Sequence, residues 1–321
     1  MSPDAASSPR PRAKARLGLF RYSGWDAVPA FLAIAHLVLL IVLVLSWSQM
    51  NWLARALGAC FYAFAIGWSS DSVAHNFIHN PFFVWRPLNR LMAYVLTLTN
   101  GAPQTMYGYI HMRHHAGNSD RIGTTGGTVD PISLYRYGAE GKVEPMASYV
   151  FKQFWRDDGP FTLARKIAAK RPVQAKEALH EFWVMIAAYA AAAAFDWRAV
   201  LCLAPFYYLG QCLSFLIAWY EHAGADPDQP IASGVSTYHY LYNWMFLNNG
   251  HHAEHHHRPK IHWTAMKAAR TQTAAAQAAA GVRVIRPPHF LGFLDPSSAH
   301  IPTASAPSRA EPHRECDRAS A

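Results

Sequence analysis

Apolar residues along this chain come in blocks, separated by long polar stretches. Residues 28–48, VPAFLAIAHLVLLIVLVLSWS, contain no charged side chain. As a helix they would be about 30 Å long, the thickness of a bilayer's hydrocarbon core. After the break QMN, apolar character resumes over 52–70, and no Pro or Gly interrupts the run from Trp68 to Asn80. One helix could therefore leave the membrane and continue into water carrying HNFIH. A second pair follows downstream at 182–195 and 199–220, separated only by DWR. So tight a turn predicts a helical hairpin, in which Pro205 and Gly210 are tolerable. The pattern predicts an all-α integral membrane protein. Four transmembrane helices in two hairpins (28–48, 52–70, 182–195, 199–220) would carry a His-rich helical cap.

Composition sharpens this picture. Hydrophobic residues make up 51% of the 321 residues and charged residues only 15%, against roughly 25% in a soluble domain. The formal charge of +9 suits a membrane surface. No helix–turn–helix, zinc-finger or RNA-binding pattern accompanies it, so nucleic acid is not expected as a partner. Arg55 and Arg198 are the basic residues of the two short inter-helix loops, and the rest lie in the N-terminal tail, in 71–180 or towards the C-terminus. By the positive-inside rule both termini and the polar regions are then cytoplasmic, as expected in a bacterial inner membrane. Residues 144–180 mix aromatics with bases and should lie on the membrane surface. The domain itself should cover 26–300, between a basic disordered tail at 1–25 and an Ala/Ser/Pro-rich disordered tail at 301–321. Cys60, Cys202, Cys212 and Cys316 lack CxxC spacing and read as small apolar residues.

The polar regions concentrate histidine in three boxes. HNFIH holds His75 and His79, HMRHH holds His111, His114 and His115, and HAEHH holds His252, His255 and His256. Positions i, i+3 and i+4 share a helix face, so each box can aim two or three imidazoles at one point. Imidazole suits iron, zinc, copper and nickel, and eight exceed the four ligands of a structural zinc. Two metal ions fit the number better. A lone histidine is more often a packed or exposed residue, which suits His36, His180, His239, His262, His289, His300 and His313. Three boxes of related spacing do not fit that reading. His251 and His257 flank the third box but point away from its face.

The order HxxxH, HxxHH, apolar hairpin, then NGHHAEHH resembles the membrane fatty acid desaturase/hydroxylase superfamily, over about residues 25–288. The third box, with Asn249, Gly250, His252, Glu254, His255, His256 and Pro259, is similar to the N-x-G-x-H-x-E-H-H-x-x-P form of lipid desaturases. The resemblance implies a ninth ligand just after the fourth span, where YEHAG places His222. It also implies two iron ions held by imidazoles, O2 as co-substrate, a lipid or acyl substrate entering from the bilayer, and no catalytic residue beyond the metal ligands. The implied reaction is O2-dependent desaturation. Hydroxylation of an acyl chain or carotenoid, or desaturation of a small secondary metabolite such as dihydrorhizobitoxine, remains open. Electrons must come from outside, from a ferredoxin or a cytochrome b-type protein with its reductase, since neither a fused haem motif nor a cysteine cluster is present. Asn76 departs from the pattern, standing where many relatives carry an acid.

Two other classes compete. An intramembrane zinc protease would need the Glu of HExxH as general base, and Asn76 occupies that place. A metal carrier would need ligands inside the spans, where only His36 lies.

Overall fold

The computed structural model describes residues 18–156 and 158–304, and these are predominantly helical. In chain order the helices are α1 (Ala27–Ser46), α2 (Trp52–Ser69), α3 (His75–His79), α4 (Arg86–Asn100), α5 (Gln104–Gly117), α6 (Met146–Lys152) and α7 (Pro160–Ala168). They continue with α8 (Pro172–His222), α9 (Tyr240–Met245), α10 (His252–His257) and α11 (Met266–Ala279). Besides isolated bridges, the strand content of the described residues is a two-residue parallel pair, β1 (Ser236–Thr237) and β2 (Val284–Ile285), which ties the segment before the third histidine box to the C-terminal region.

α2 does not stop at the apolar boundary. A π-turn, Ser70–Ala74, joins it to α3, so the expected continuous helix forms. One extra residue in a turn rotates everything beyond it by about 100°. That rotation sets where His75 and His79 point relative to α2.

α8 is one 51-residue element with a non-helical residue, Asp196 (φ −146°, ψ 90°). Its carboxylate accepts from the backbone N–H groups of Arg198 and Ala199 at 3.0 and 3.1 Å, capping a second arm. The arms fold back on one another. Tyr189 donates to the carbonyl of Leu98 and Tyr207 to that of Gly101. On a straight helix Tyr189 and Tyr207 would stand about 27 Å apart, yet their acceptors are near neighbours in sequence. The DWR hairpin is thus present, and its first arm begins at Pro172, ahead of the apolar block.

Two helical stretches, Gly24–Gln49 and Pro172–His222, are long and apolar enough to cross a bilayer. α2 is not among them, because Arg55 and small residues dilute its apolar run. Large apolar side chains nevertheless face outward on all three helices, including Phe31 and Leu45 on α1, Leu57 and Phe61 on α2, and Phe195 and Leu201 on α8. So much exposed apolar surface suits lipid rather than water.

Inside, α1, α2 and the second arm of α8 close around Leu43, Ala59, Tyr62, Ile66, Ala199 and Leu203. Contact between α2 and α8 is close at Gly210, where a Cβ would stand 2.7 Å from the Ala63 carbonyl oxygen and from Ile66 Cβ. Fully buried Glu181 on the first arm accepts from Arg90 of α4 (2.7 Å) and from the backbone and hydroxyl of Thr105 of α5 (2.8 Å each). This fixes the helix that carries the second histidine box.

Several boundaries differ from the sequence reading. Residues 18–25, expected as part of a disordered tail, are placed: Arg21 N–H donates to the Phe82 carbonyl (2.8 Å) and Val84 N–H to that of Leu19 (3.1 Å). At the other end, Ala304 N–H donates to the Val143 carbonyl (2.8 Å), so 301–304 also pack on the body. The remainder of both tails, with Cys316 and His313, lies outside the described residues. Cys212 is buried as expected, whereas Cys60 and Cys202 face outward; on lipid-facing helices an apolar thiol need not be internal.

Candidate metal centre

Each histidine box has a defined support. α4 ends at Gly101 (φ 66°), a left-handed residue that only glycine adopts freely. The chain then turns into α5, which carries His111, His114 and His115. α5 in turn ends at Asn118 (φ 51°), and asparagine tolerates that conformation. The third box follows another such pair, Leu247 and Asn248 (φ 50° and 61°). Gly250 comes next, where a Cβ would collide with the Thr237 carbonyl and the Asn243 side chain.

All nine candidate ligands converge, in two adjoining groups. His75, His79, His111, His115 and His255 form one, and His114, His222, His252 and His256 form the other; within each group one nitrogen per ring lies within 4.8 Å of every other. A single box does not aim all its rings at one point, as the shared-face reading expects. In both HxxHH boxes the i, i+4 pair serves one group and the i+3 ring the other. At 100° per residue, i and i+4 differ by about 40° while i+3 lies about 60° to the other side, so the box divides two to one. His111 and His115 join His255, whereas His252 and His256 join His114.

Distances in the first group suit rings gathered around one ion. Nε2 of His75 lies 2.9 Å from Nε2 of His255, which lies 3.0 Å from that of His115. Nε2 of His111 lies 3.0 Å from that of His115 and 2.7 Å from that of His79. An imidazole Nε2 has one proton or one lone pair, pointing one way, and cannot serve two such neighbours as a hydrogen bond. Ligands at right angles around a metal with bonds of about 2.1 Å stand about 3 Å apart. In the second group Nε2 of His222 is 3.0 Å from Nε2 of His252, and buried Nε2 of His256 has no hydrogen-bond partner.

The opposite ring nitrogens are held in place. His114 Nδ1 is 2.7 Å from Asp130 Oδ2, His222 Nδ1 is 3.1 Å from the Ser233 carbonyl, His256 Nδ1 is 2.8 Å from Asn118 Oδ1, and His75 Nδ1 is 3.1 Å from Asn249 Oδ1. These partners turn Nε2 of each ring towards the others. Burial drives the rings to the neutral, ligating form. It pushes His79 down to about 2 and His222 to about 3, with the charges of neighbouring imidazoles adding to the effect. His111, His252, His255 and His256 move well down for the same reason. For Asp130, burial alone would raise the carboxyl, but the charge and hydrogen bond of His114 outweigh it and hold the group below its ordinary range.

The donors fit a transition metal. Among the described residues neither group contains a cysteine or a carboxylate, so sites for hard oxygen-seeking cations and thiolate sites are excluded. The other histidines have different surroundings. His36 is buried in α1 beside Tyr62, His262 contacts Asp26 (2.8 Å), and His251 packs on Tyr238. His257 belongs to neither group. Buried His289 donates from Nε2 to the Val235 carbonyl (3.0 Å), and its Nδ1 lies 3.5 Å from Glu221. Asp130 and Glu221 escaped the sequence reading because an isolated acid gives no signal before the fold brings it to a histidine.

A cavity of about 360 Å³ reaches both groups. His75, His111 and His252 are among its lining residues, as are the apolar side chains of Met106, Phe182 and Met185.

No curated protein and no solved structure gives a significant match to the chain. The family model described as "Fatty acid desaturase" matches residues 50–288, a span that includes every ring of both groups. The chain belongs to the fatty acid desaturase family.

Proposed function

We propose that this protein is a membrane di-iron oxidoreductase that desaturates a lipid or fatty-acyl type of substrate. Support comes chiefly from one observation: two adjoining sets of five and four imidazoles border a cavity with largely apolar walls. Two irons bound there would supply the redox chemistry that couples O2 reduction to C–H oxidation. In the balanced reaction the substrate gives up two hydrogen atoms from adjacent carbons and an external donor gives two electrons. With two protons, O2 leaves as two waters.

The chain's own part is placement. Asp130 keeps the His114 proton on Nδ1, and the Ser233 carbonyl does the same for His222. Met106, Ile110, Phe182 and Met185 exclude water from the cavity and hold the substrate at a fixed depth, which decides which carbons meet the site. In this reading α1, α2 and the two arms of α8 span the membrane, with the histidines and both termini on the cytoplasmic side. The bilayer is a bacterial inner membrane. A ferredoxin or cytochrome b-type donor docks on the basic cytoplasmic surface.

The test is iron analysis of the purified protein, then mass spectrometry of lipid and small-molecule substrates after incubation with O2 and a reductase system. Two irons per chain and a product lighter by two hydrogens are expected. A gain of one oxygen would make the protein a hydroxylase. Absence of iron or of O2 consumption would refute the reading.

A further inference from the structure

The cavity beside the imidazoles has a polar end that a hydrocarbon chain would not use. Asp71, in the π-turn after α2, is 8% exposed; its Oδ1 accepts from Ser214 (2.8 Å), and its buried Oδ2 has no partner. Asn100, at the end of α4, is 5% exposed, and neither its Oδ1 nor its Nδ2 has a partner. Both residues line the same cavity, together with Gln211 and Ser214. Three polar atoms buried without partners are costly unless a ligand satisfies them.

Charge narrows the ligand. Among the described residues the cavity lining contains Asp71, Asp158 and Glu221 and no arginine or lysine. Glu221 is engaged by Asn249 and lies beside His252 and His289. The Asp71 carboxylate touches no imidazole; only its backbone carbonyl meets His75. A carboxylate or phosphate would find no cationic side chain here, whereas an amine or hydroxyl would find acceptors. Position narrows it further. Asp71 precedes His75 by a single turn, and its backbone carbonyl lies 3.3 Å from His75 Nδ1, so a group held by Asp71 is only a few bonds from carbon held at the imidazoles. A volume of about 360 Å³ is also at the small end for a ligand site.

We propose that Asp71 and Asn100 bind an amine or hydroxyl headgroup of the substrate, and that the bonds oxidised lie a few atoms from that group rather than in the middle of a long hydrocarbon chain. This rests on the cavity being the substrate site of the proposed oxidation and names the class of substrate it takes.

Matched six-carbon probes test it: hexylamine, 1-hexanol, hexanoate and hexane, titrated calorimetrically into the iron-loaded full chain in lipid nanodiscs, with empty nanodiscs as blank. Hexylamine and 1-hexanol should bind at least tenfold more tightly than hexanoate or hexane. Asp71→Asn should weaken hexylamine at least tenfold and leave hexanoate unchanged, and Asn100→Ala should weaken 1-hexanol. Equal or tighter binding of hexanoate or hexane by the unaltered protein overturns the proposal, and that comparison does not depend on either variant folding. So does a preference that survives both substitutions in protein of normal iron content. Iron content and O2 uptake on the same samples separate the two readings. A preference for donors without iron or O2 uptake removes the oxidation and keeps the binding site, whereas oxidation of a plain acyl chain without that preference does the reverse.

Discussion

Replacing Asp130 by asparagine should loosen one metal and spare the other. Asp130 is fully buried. Oδ2 accepts from His114 Nδ1 at 2.7 Å and from Ser119 N–H at 2.9 Å, and Oδ1 accepts from Ile132 N–H at 2.8 Å. Three donors therefore converge on a group that, as a carboxylate, only accepts. An asparagine of the same shape offers one oxygen and one NH2. With the NH2 towards Ile132, two buried donors face one another. With it towards His114, the ring must move its proton to Nε2, the nitrogen that faces His222, His252 and His256. Either arrangement leaves a buried donor unpaired, at a cost of about 1–3 kcal/mol, and loses a charge-assisted bond. That corresponds to roughly 10–100-fold in affinity, in the range found when partners of metal-bound histidines are removed.

His114 belongs to the group of four, and the group of five contains no contact of Asp130. Chelator competition on the purified protein, followed by iron per chain, should therefore resolve two steps. The first iron should leave at about 10–100-fold lower chelator activity than in the unaltered protein, and the second at an unchanged one. Two irons lost together, or a titration identical to that of the unaltered chain, would refute the assignment of Asp130 and the division into two groups.

Other perturbations follow from the same geometry. His255→Ala removes the nitrogen 2.9 Å from His75 and 3.0 Å from His115; iron content should fall and product formation drop below detection by mass spectrometry. His300→Ala, at an exposed position, should change neither. Gly210→Ala places a Cβ 2.7 Å from the Ala63 carbonyl and should lower stability by about 1–3 kcal/mol, read as a lower unfolding midpoint. Gly159→Ala, with open space around the new Cβ, should be nearly neutral. In metal-free protein, burial holds His222 at about 3 and His79 at about 2, against 6.5 for the free ring. Below 6.5 the unfolded chain then binds protons that the folded chain refuses. Stability should be greatest above pH 6.5 and fall as pH drops from there towards 3; an unfolding midpoint flat across that window would contradict neutral buried rings.

What could be seen in the sequence was what repeats locally. Apolar blocks announced α1 and α8, and the DWR turn between apolar runs announced the hairpin at Asp196, because a helix that must stay in lipid can reverse only where polar residues allow it. Box spacing announced which rings converge, since i, i+3 and i+4 are near on any helix. His222 has no such spacing partner and came only from the family resemblance; its Nε2 meets that of His252 across 30 residues of chain. The division of each HxxHH box between two groups was implicit in helix geometry but needed the second set of rings to become visible. Asp71 and Asn100 gave no signal at all, because nothing local distinguishes a buried polar residue that faces a cavity from one on a surface.

The acids around the imidazoles bear on why neutral ligands suffice. Asp130, Glu221 and Glu254 are all buried, and among the described residues none has a lysine or arginine partner near the histidines. Asp130 meets His114, Glu221 lies 3.6 Å from His252 Nδ1, and Glu254 sits within α10 accepting from Ser236 and Tyr238. Burying a carboxylate without a cation is expensive, and neutral imidazoles relieve little of that cost. Two divalent ions among the nine rings would relieve it, since Asp130 and Glu221 stand directly behind His114 and His252. Carboxylates placed there would offset the charge of bound metal while leaving every direct donor a neutral nitrogen. Such a site would separate two tasks that a bridging carboxylate would combine: imidazoles would hold the ions, and the acids behind them would balance charge, with Asp130 also orienting the His114 ring. Asp71 has Ser214 on one oxygen and no partner on the other, and it lines the cavity, so its carboxylate remains free to recognise substrate.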